Sequence, residues 1–188
     1  MAQHQSPIWA KDTTAHEKVS LFTVGRDKEF DTLLAEADIL GNLAHTRMLQ
    51  SIGLLTQKEL DLVQSELIAM FRDIQISPFV IEEGVEDVHS QVELMLTRKL
   101  GDVGKKIHSG RSRNDQVLLD LKLYIRQQIF DTVEYVEQLF VLLQQLSEQH
   151  KDVLMPGYTH LQIAMPSSFG LWFGCYAESL TDDLQLLQ

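Results

Sequence analysis

Residues 114–150 form one uninterrupted stretch, NDQVLLDLKLYIRQQIFDTVEYVEQLFVLLQQLSEQH, that contains neither glycine nor proline. Apolar residues recur along this stretch with nearly heptad spacing at Leu118, Leu121, Ile125, Ile129, Val136, Leu139, Leu143 and Leu146. The spacing predicts a single helix, which at about 1.5 Å per residue would be roughly 50 Å long. Because an apolar stripe of that length must be covered by other long helices, the stretch indicates a helical bundle.

Three shorter helices are predicted before the long stretch. The first spans residues 27–52, and its predicted buried face consists of Phe30, Leu33, Leu34, Ala37, Leu40, Ala44, Met48 and Ile52. The second begins at Thr56, which has capping-box spacing with Glu59, and the third ends at Gly101. Residues 151–166 are predicted to form a loop, and no strand is predicted.

Together these elements predict an all-α protein in two parts. A small amino-terminal helical domain is expected over residues 1–112, and the beginning of a long-helix bundle domain over residues 113–188. The last predicted helix starts at Ser167 and reaches Gln188 without a stop signal. We therefore expect the bundle domain to be truncated, with its missing helices either outside this chain or supplied by other subunits.

The composition argues against several classes of function. A net charge of -11 disfavours nucleic acid as the main partner, because a phosphate backbone is bound by basic surfaces. The first twenty residues lack the apolar core of a signal peptide, and no apolar run is long enough to span a membrane. A cytoplasmic protein without a membrane partner is therefore expected. With Cys175 as the single cysteine and no zinc-like spacing, neither a metal nor a cofactor is predicted.

Positive charge is concentrated just before the long stretch. Six of the sixteen lysines and arginines lie within residues 98–113. The sequence HSGRSRN ends this segment at the predicted helix amino terminus, where unpaired N–H groups and the helix dipole attract anions. Hydroxyl groups at Ser109 and Ser112, and the forked guanidinium groups of Arg111 and Arg113, suit a carboxylate ligand. Alternatively, Ser112 or Asn114 is only a helix cap and the arginines are solvated.

A second polar segment, PGYTHLQ at residues 156–162, follows the long stretch. In it Thr159 offers a hydroxyl donor, and His160 is of the residue type that gains or loses a proton near neutral pH. The pair therefore suits general acid–base chemistry. Alternatively, His160 is a loop residue that bonds a backbone carbonyl. His89 is a further candidate, because it follows an acidic run at residues 82–87.

Three segments together resemble the argininosuccinate lyases, a family of the fumarase and aspartase superfamily. They are EDVH at residues 86–89, DVGKKIHSGRSRNDQ at residues 102–116, and PGYTHLQ. The GRSRNDQ block is the most specific, because fumarases and aspartases have a shorter motif there. The resemblance begins at about Phe22. Chains of the family are more than twice this long, and the mobile loop whose serine usually serves as the base is absent, so the chain by itself is expected to be inactive.

The resemblance implies a β-elimination that splits argininosuccinate into arginine and fumarate, without a cofactor. It implies that Arg113, Asn114 and Thr159 hold carboxylates of the substrate and that His160 takes part in proton transfer, with Thr159 also assigned to the catalytic pair. Further substrate contacts are predicted for Ser112, Ser109, Thr23, His89 and Gln162. At Thr23 and Ser109 many members have serine and threonine, respectively. The resemblance also implies a homotetramer whose active sites each combine three chains.

Two alternatives remain open from the sequence. One is another lyase of the superfamily, such as adenylosuccinate lyase, although the GRSRNDQ block argues against it. The other is a structural relative without activity, as the lens crystallins of this family are.

Overall fold

The computed structural model describes Val19, Phe22, Thr23 and residues 25–187. Its helices are α1 (Asp27–Asp31), α2 (Ala35–Ser51), α3 (Gln57–Ile74), α4 (Val88–Leu100), α5 (Asp102–Lys105), α6 (Arg113–Gln149) and α7 (Phe169–Gln185). Short 3-10 turns follow α1 at Thr32–Leu34 and α5 at Lys106–His108. Strands β1 (Leu154–Thr159) and β2 (Gln162–Ser168) form the one sheet of the described residues. The predicted all-α class is confirmed.

The chain divides into two compact units at a point inside α6, between Tyr124 and Ile125. The first unit contains α1 to α5 and the beginning of α6. The second contains the remainder of α6, the two strands and α7. The domain boundary predicted between residues 112 and 113 stays a prediction.

The core of the first unit forms where α2, α3 and α4 pack together. Its buried side chains are Ile39, Val63, Leu67, Met70, Val92, Leu96 and Ile107. The helix α3 begins with the capping box that the sequence predicted. Thr56 Oγ1 accepts from the amide of Glu59, and a Glu59 carboxylate oxygen accepts from the amide of Thr56 at 2.8 Å. These two bonds fix where α3 starts and therefore which of its residues face the core.

The predicted buried face of the first helix is wrong in large part. Phe30 is 58% exposed and Ile52 is 61% exposed, and a 3-10 turn interrupts the predicted helix between α1 and α2. The residues of α2 that are fully covered are Ile39, Asn42, Thr46 and Leu49. Because two of these four side chains are polar, an apolar pattern alone could not identify this face.

The long helix α6 begins and ends within one residue of its predicted bounds. Of its residues only Gln116 and Asp120 are buried. The apolar stripe is largely uncovered, with Leu118 59% exposed and Ile125 52% exposed. The helix therefore forms as predicted, while its apolar residues beyond the first turns contribute little to a core within the described residues.

The prediction of a loop over residues 151–166 is wrong, because most of this segment is an antiparallel hairpin. Thr159 pairs with Gln162 across a two-residue turn, and an irregularity in the pairing lies between Pro156 and Tyr158. Proline is compatible with this sheet because both strands of a two-stranded hairpin are edge strands. The two prolines, one in each strand, masked the strands in the sequence.

The helix α7 begins after Ser168, whose Oγ accepts from the amide of Leu171 at 3.1 Å. This start lies within two residues of the predicted one. Over the described residues, no helix is both long enough and apolar enough to cross a membrane.

Candidate active site

The loop between α5 and α6 is held by polar side chains from one face of α2. His45 Nε2 donates to the carbonyl oxygen of Ser109 over 2.9 Å, and Arg111 donates to Asn42 Oδ1. Asn42 and His45 are three residues apart and so lie on the same side of the helix. Burial lowers the pKa of His45, which favours its neutral ring. The basic loop is thus positioned by residues almost seventy positions earlier in the chain.

Ser112 stands at the entrance to α6 and interacts with Asp115 inside its first turn. The amide of Ser112 donates to Asp115 Oδ2 over 2.7 Å, and its hydroxyl donates to the same oxygen over 3.0 Å. These two hydrogen bonds lower the pKa of Asp115. Asp115 thus supplies the half of a capping box in which the third helical residue accepts from the N-cap amide, while the Ser112 hydroxyl donates instead of accepting from the helix. A contact between Ser112 and substrate stays a prediction.

Arg113, the first residue of α6, is oriented by the segment that begins α4. Its Nη1 contacts the Asp87 carboxylate and lies 3.3 Å from Glu86 Oε2, and its Nη2 donates to Ser90 Oγ over 3.0 Å. Asp87 also caps α4 by accepting from the amide of Ser90 over 2.8 Å. One aspartate therefore fixes both the start of α4 and the direction of the Arg113 guanidinium. Asn114, next in the chain, is exposed.

Behind this surface lies a buried cluster of three titratable side chains from three helices. His89 Nδ1 donates to Asp38 Oδ1 over 2.7 Å and lies 3.5 Å from Asp120 Oδ2. His89 is 4% exposed, and Asp38 and Asp120 are each 1% exposed. Asn42 Nδ2 donates to the other oxygen of Asp38 over 2.9 Å. The contacts described for His89 are with carboxylates, and its predicted contact with substrate remains untested.

The cluster perturbs the protonation of its members in one direction. Burial, followed by the charge of Asp38, raises the pKa of Asp120 to about 7. Burial acts to lower the pKa of His89, but its hydrogen bond to Asp38 and the nearby carboxylate charges outweigh that effect and raise it. Both groups therefore hold a proton more strongly in the folded chain than in an unfolded one.

The same three residues also offer ligand atoms of the kinds that bind metal ions. One atom each from Asp38, His89 and Asp120 lies within 4.8 Å of the others. Arg111 supplies positive charge beside these residues: burial lowers its pKa, and the nearby charges of Asp38 and Asp120 act to raise it. A nearby guanidinium disfavours a second cation in a buried site.

The second candidate segment forms the tip of the hairpin in the second unit. Thr159 ends β1, Gln162 begins β2, and His160 with Leu161 makes the turn between them. Both turn residues have positive φ, 49° for His160 and 63° for Leu161. All four side chains are exposed, Leu161 to 97%. A leucine with positive φ is unfavourable, so this tip stores backbone strain beside the histidine that the sequence singled out.

Thr23 is exposed, and its hydroxyl donates to the carbonyl oxygen of Val19 over 2.9 Å. Its predicted contact with substrate remains untested.

Sequence reasoning missed Asn42 and His45, which hold the basic loop, and Asp38 and Asp120, whose charges act on Arg111. Arg111, predicted as a guanidinium fork for a carboxylate, donates to Asn42 Oδ1. A signal was nevertheless available, because Asp38, Asn42 and His45 follow one another at helical spacing inside an apolar segment. Gln116 and Asp120 show the same four-residue step in α6. Polar residues at such spacing on a buried face indicate a hydrogen-bonded network.

Comparison with known proteins identifies relatives over nearly the whole chain. The model of a lyase family matches residues 15–188. The argininosuccinate lyase of Bacteroides thetaiotaomicron is 65% identical over 181 residues, which are 96% of this chain and 41% of that protein. The argininosuccinate lyase of Ruthia magnifica is 40% identical over 84% of this chain and 33% of that protein. The chain thus spans about a third to two fifths of the length of these two curated relatives.

Solved structures support the fold. The fumarate lyase:delta crystallin of Brucella melitensis matches 89% of this chain and 42% of its own with a TM-score of 0.73 at 16% identity. An EDDS lyase variant with bound fumarate matches 93% of this chain and 34% of its own with a TM-score of 0.67 at 24% identity. At these identities the likeness extends to the fold alone.

These matches confirm the resemblance predicted from the three sequence segments. Because the family model covers residues 15–188, the chain belongs to the lyase family.

Proposed function

We propose that the whole protein of which this chain is part is an argininosuccinate lyase of arginine biosynthesis, which reversibly eliminates arginine from argininosuccinate to leave fumarate. The observation that carries this proposal is the 65% identity with an argininosuccinate lyase over 96% of the chain. The segments proposed to contact substrate lie within the matched residues.

The reaction requires fixed hydrogen-bond donors beside a carboxylate. A base removes a proton from the carbon next to that carboxylate, and the extra negative charge spreads onto the carboxylate oxygens. The C–N bond then breaks, the carbon–carbon double bond of fumarate forms, and the departing guanidino nitrogen of arginine is protonated. Donors that are already oriented stabilise the charge without reorganising during the reaction. We assign this role to Arg113, Asn114 and Thr159.

The orientation of Arg113 supports its assignment. Asp87, Glu86 and Ser90 engage its two terminal nitrogens. A guanidinium carries five N–H groups in a fixed plane, so donors remain that could meet a carboxylate. The carboxylates of Asp87 and Glu86 occupy one side of the guanidinium, so a substrate carboxylate would approach Arg113 from the side of its remaining donors. Arg113→Lys would keep the charge but lose the fork, and should strongly impair turnover.

The position of His160 suits proton transfer. It is exposed at a turn of the hairpin and is followed by the start of β2, so its backbone is held by a fixed register. Thr159 precedes it at the end of β1, which would place a hydroxyl donor and a proton carrier side by side. Ser109, Ser112, Thr23, Gln162 and His89 complete the proposed substrate-binding set.

We also propose that the protein is a cytoplasmic homotetramer that binds neither nucleic acid nor membrane. The support is the uncovered apolar stripe of α6, because monomers rarely expose a continuous apolar surface of that length. Sedimentation of this chain should show self-association that Leu139→Glu weakens. A monomer at all concentrations would contradict the assembly.

Turnover provides the test of the proposed activity. The full-length enzyme should release fumarate from argininosuccinate and not from adenylosuccinate. His160→Asn should lower kcat by roughly a hundred- to ten-thousand-fold, the range expected for a general acid or base, without changing the circular dichroism spectrum. His150→Asn, at the end of α6, serves as the control and should retain activity. Residues 1–188 alone should show no turnover. A fully active His160→Asn variant would remove this histidine from the mechanism.

A further inference from the structure

The buried cluster of Asp38, His89 and Asp120 has an unbalanced charge when both carboxyl groups are ionised. Two negative charges then face the positive Arg111, and one negative charge stays uncompensated unless His89 or a carboxyl group binds one further proton. Burying such a charge is costly, and the group binds a proton instead. One proton bound within the cluster restores neutrality.

The hydrogen-bonding geometry contains a place for that proton. Among the described residues, Asp120 Oδ2 has no hydrogen-bond partner, although it is buried and lies 3.5 Å from His89 Nδ1. The Nδ1 proton of His89 is directed at the nearer oxygen, Asp38 Oδ1, at 2.7 Å. A protonated Asp120 becomes a donor, and a hydrogen bond with Asp38 is among the causes that raise the pKa of Asp120. Protonation thus turns an unsatisfied acceptor into part of a closed network.

The cluster is connected to Arg113 through two helices. Asp120 lies seven residues after Arg113, two turns further along the same side of α6. His89 lies two residues after Asp87, which contacts the Arg113 guanidinium. The helix α2, which carries Asp38, also lies against α6, since a Cβ on Gly41 of α2 would lie 3.0 Å from the Leu119 side chain of α6.

We propose that Asp38, His89 and Asp120 form a positioning cluster, which holds a shared proton at neutral pH and thereby fixes the first turns of α6 together with Arg113. The protonation of the cluster is independent of the reaction, whereas its effect on turnover rests on the proposed function.

The charged groups that surround the cluster determine its response to pH. Around Asp120 lie Asp38 on α2, His89 on α4 and Arg111 in the loop. Asp87, which caps α4, acts on the charge of His89, and His89 in turn acts on Asp31 of α1. Asp120 has a folded pKa of about 7, above the value of about 3.9 in an unfolded chain. Its stabilising effect is therefore complete below the unfolded value and is lost as the pH rises through 7. The raised pKa of His89 acts in the same direction.

The first experiment follows thermal and urea unfolding of the chain between pH 5 and pH 8. While the folded state holds one proton more than the unfolded state, each unit rise in pH raises the unfolding equilibrium constant by up to about tenfold. This increase continues up to the folded pKa. Asp120→Asn should remove most of this dependence, because the asparagine amide donates permanently to Asp38. Asp73→Asn, at an exposed position, is the control and should retain the wild-type slope. If the free energy of unfolding depends on pH equally in wild type and in Asp120→Asn, the proposal is overturned.

A second measurement needs no variant and so remains decisive if Asp120→Asn fails to fold. Carbon NMR of wild-type chain labelled at the aspartate carboxyl groups should show one resonance that titrates between pH 6 and pH 8. Titration of every aspartate below pH 5 would overturn the proposal. A second result would also overturn the proposal. If added zinc or manganese alone raises the unfolding temperature and abolishes that titration, the cluster is a metal site.

Turnover of the full-length enzyme tests the positioning role. Asp120→Asn should flatten the part of the kcat/KM profile near pH 7, and it should raise KM more than it lowers kcat. A folded variant with an unchanged pH profile would overturn the positioning role. A wild-type enzyme inactive toward argininosuccinate would instead contradict the proposed function, while the unfolding and NMR results would stand.

Discussion

Both units of the chain have helices with apolar residues at regular spacing, but their cores are very different. The first unit buries fifteen of the sixteen core apolar residues of the described chain, and the second buries only Ala177. In the second unit Phe130, Tyr135 and Leu142 are each at least half exposed. The comparison teaches that apolar spacing determines which segments become helices, whereas it does not determine what covers them.

Truncating a buried side chain in the core of the first unit should reduce stability the most. Leu67→Ala should lower the free energy of unfolding by about 3 kcal/mol, within the usual range of 2–5 kcal/mol for a buried leucine. Leu154→Ala in the second unit should have an effect close to zero, because Leu154 is 77% exposed. Urea unfolding followed by circular dichroism measures both. Comparable losses would show that the second unit is covered, and so would break the contrast.

Tight packing at Gly170 in the second unit should give the next largest effect. A Cβ on Gly170 would lie 2.6 Å from the backbone at Ser147 and Lys151, so Gly170→Ala should cost about 1–3 kcal/mol. Gly174→Ala is a matched control in the same helix, since its Cβ would meet only the Ser147 hydroxyl at 3.3 Å. The control should be neutral or slightly stabilising, because alanine favours helix more than glycine does. If thermal unfolding ranks the two variants the other way, this packing is not a constraint.

Removing a helix cap should cost about the same stability in either unit. Thr56→Ala removes the cap of α3 in the first unit, and Ser168→Ala removes the cap of α7 in the second. Each should cost about 1 kcal/mol, because a cap stabilises locally through one or two hydrogen bonds. Amide hydrogen exchange in the first turn of each helix gives the local effect. A loss confined to the first unit would mean that α7 is fixed by something other than its cap.

The smallest effect is expected at the hairpin, and it has the opposite sign. Leu161→Gly should stabilise the second unit by about 0.5–1 kcal/mol, because glycine adopts positive φ without steric cost. Ile163→Gly, two residues later in β2, should destabilise, since glycine weakens a strand. Thermal unfolding of the two variants provides the comparison. A destabilised Leu161→Gly variant would show that the leucine makes contacts that outweigh its backbone strain.

Much of the fold could be predicted because local signals determined it. The absence of glycine and proline determined α6, and the Thr56–Glu59 spacing determined the start of α3. The hairpin could not be predicted, because its strands contain prolines and its turn lacks the asparagine and glycine that usually mark such turns.

The candidate site was predictable only in part, for a similar reason. Arg113 and Asn114 were recognisable at the start of a helix, where an anion site is expected. The groups that orient them, such as Asp87 and His45, act across distances in the sequence that no local pattern records. His89 was recognised as a candidate, but its two carboxylate partners lie on other helices.

The last buried residue of the first unit's apolar core is Ile107, so this core is synthesised well before the second unit. Residues 125–188 need roughly 3 to 13 seconds for synthesis at about 5–20 residues per second. Helical proteins with mainly local contacts fold in microseconds to milliseconds. The first unit can therefore close over its buried aspartates while the hairpin is still being translated. The nascent chain would then contain a folded first unit with its buried aspartates, followed by an apolar helix whose stripe is not yet covered.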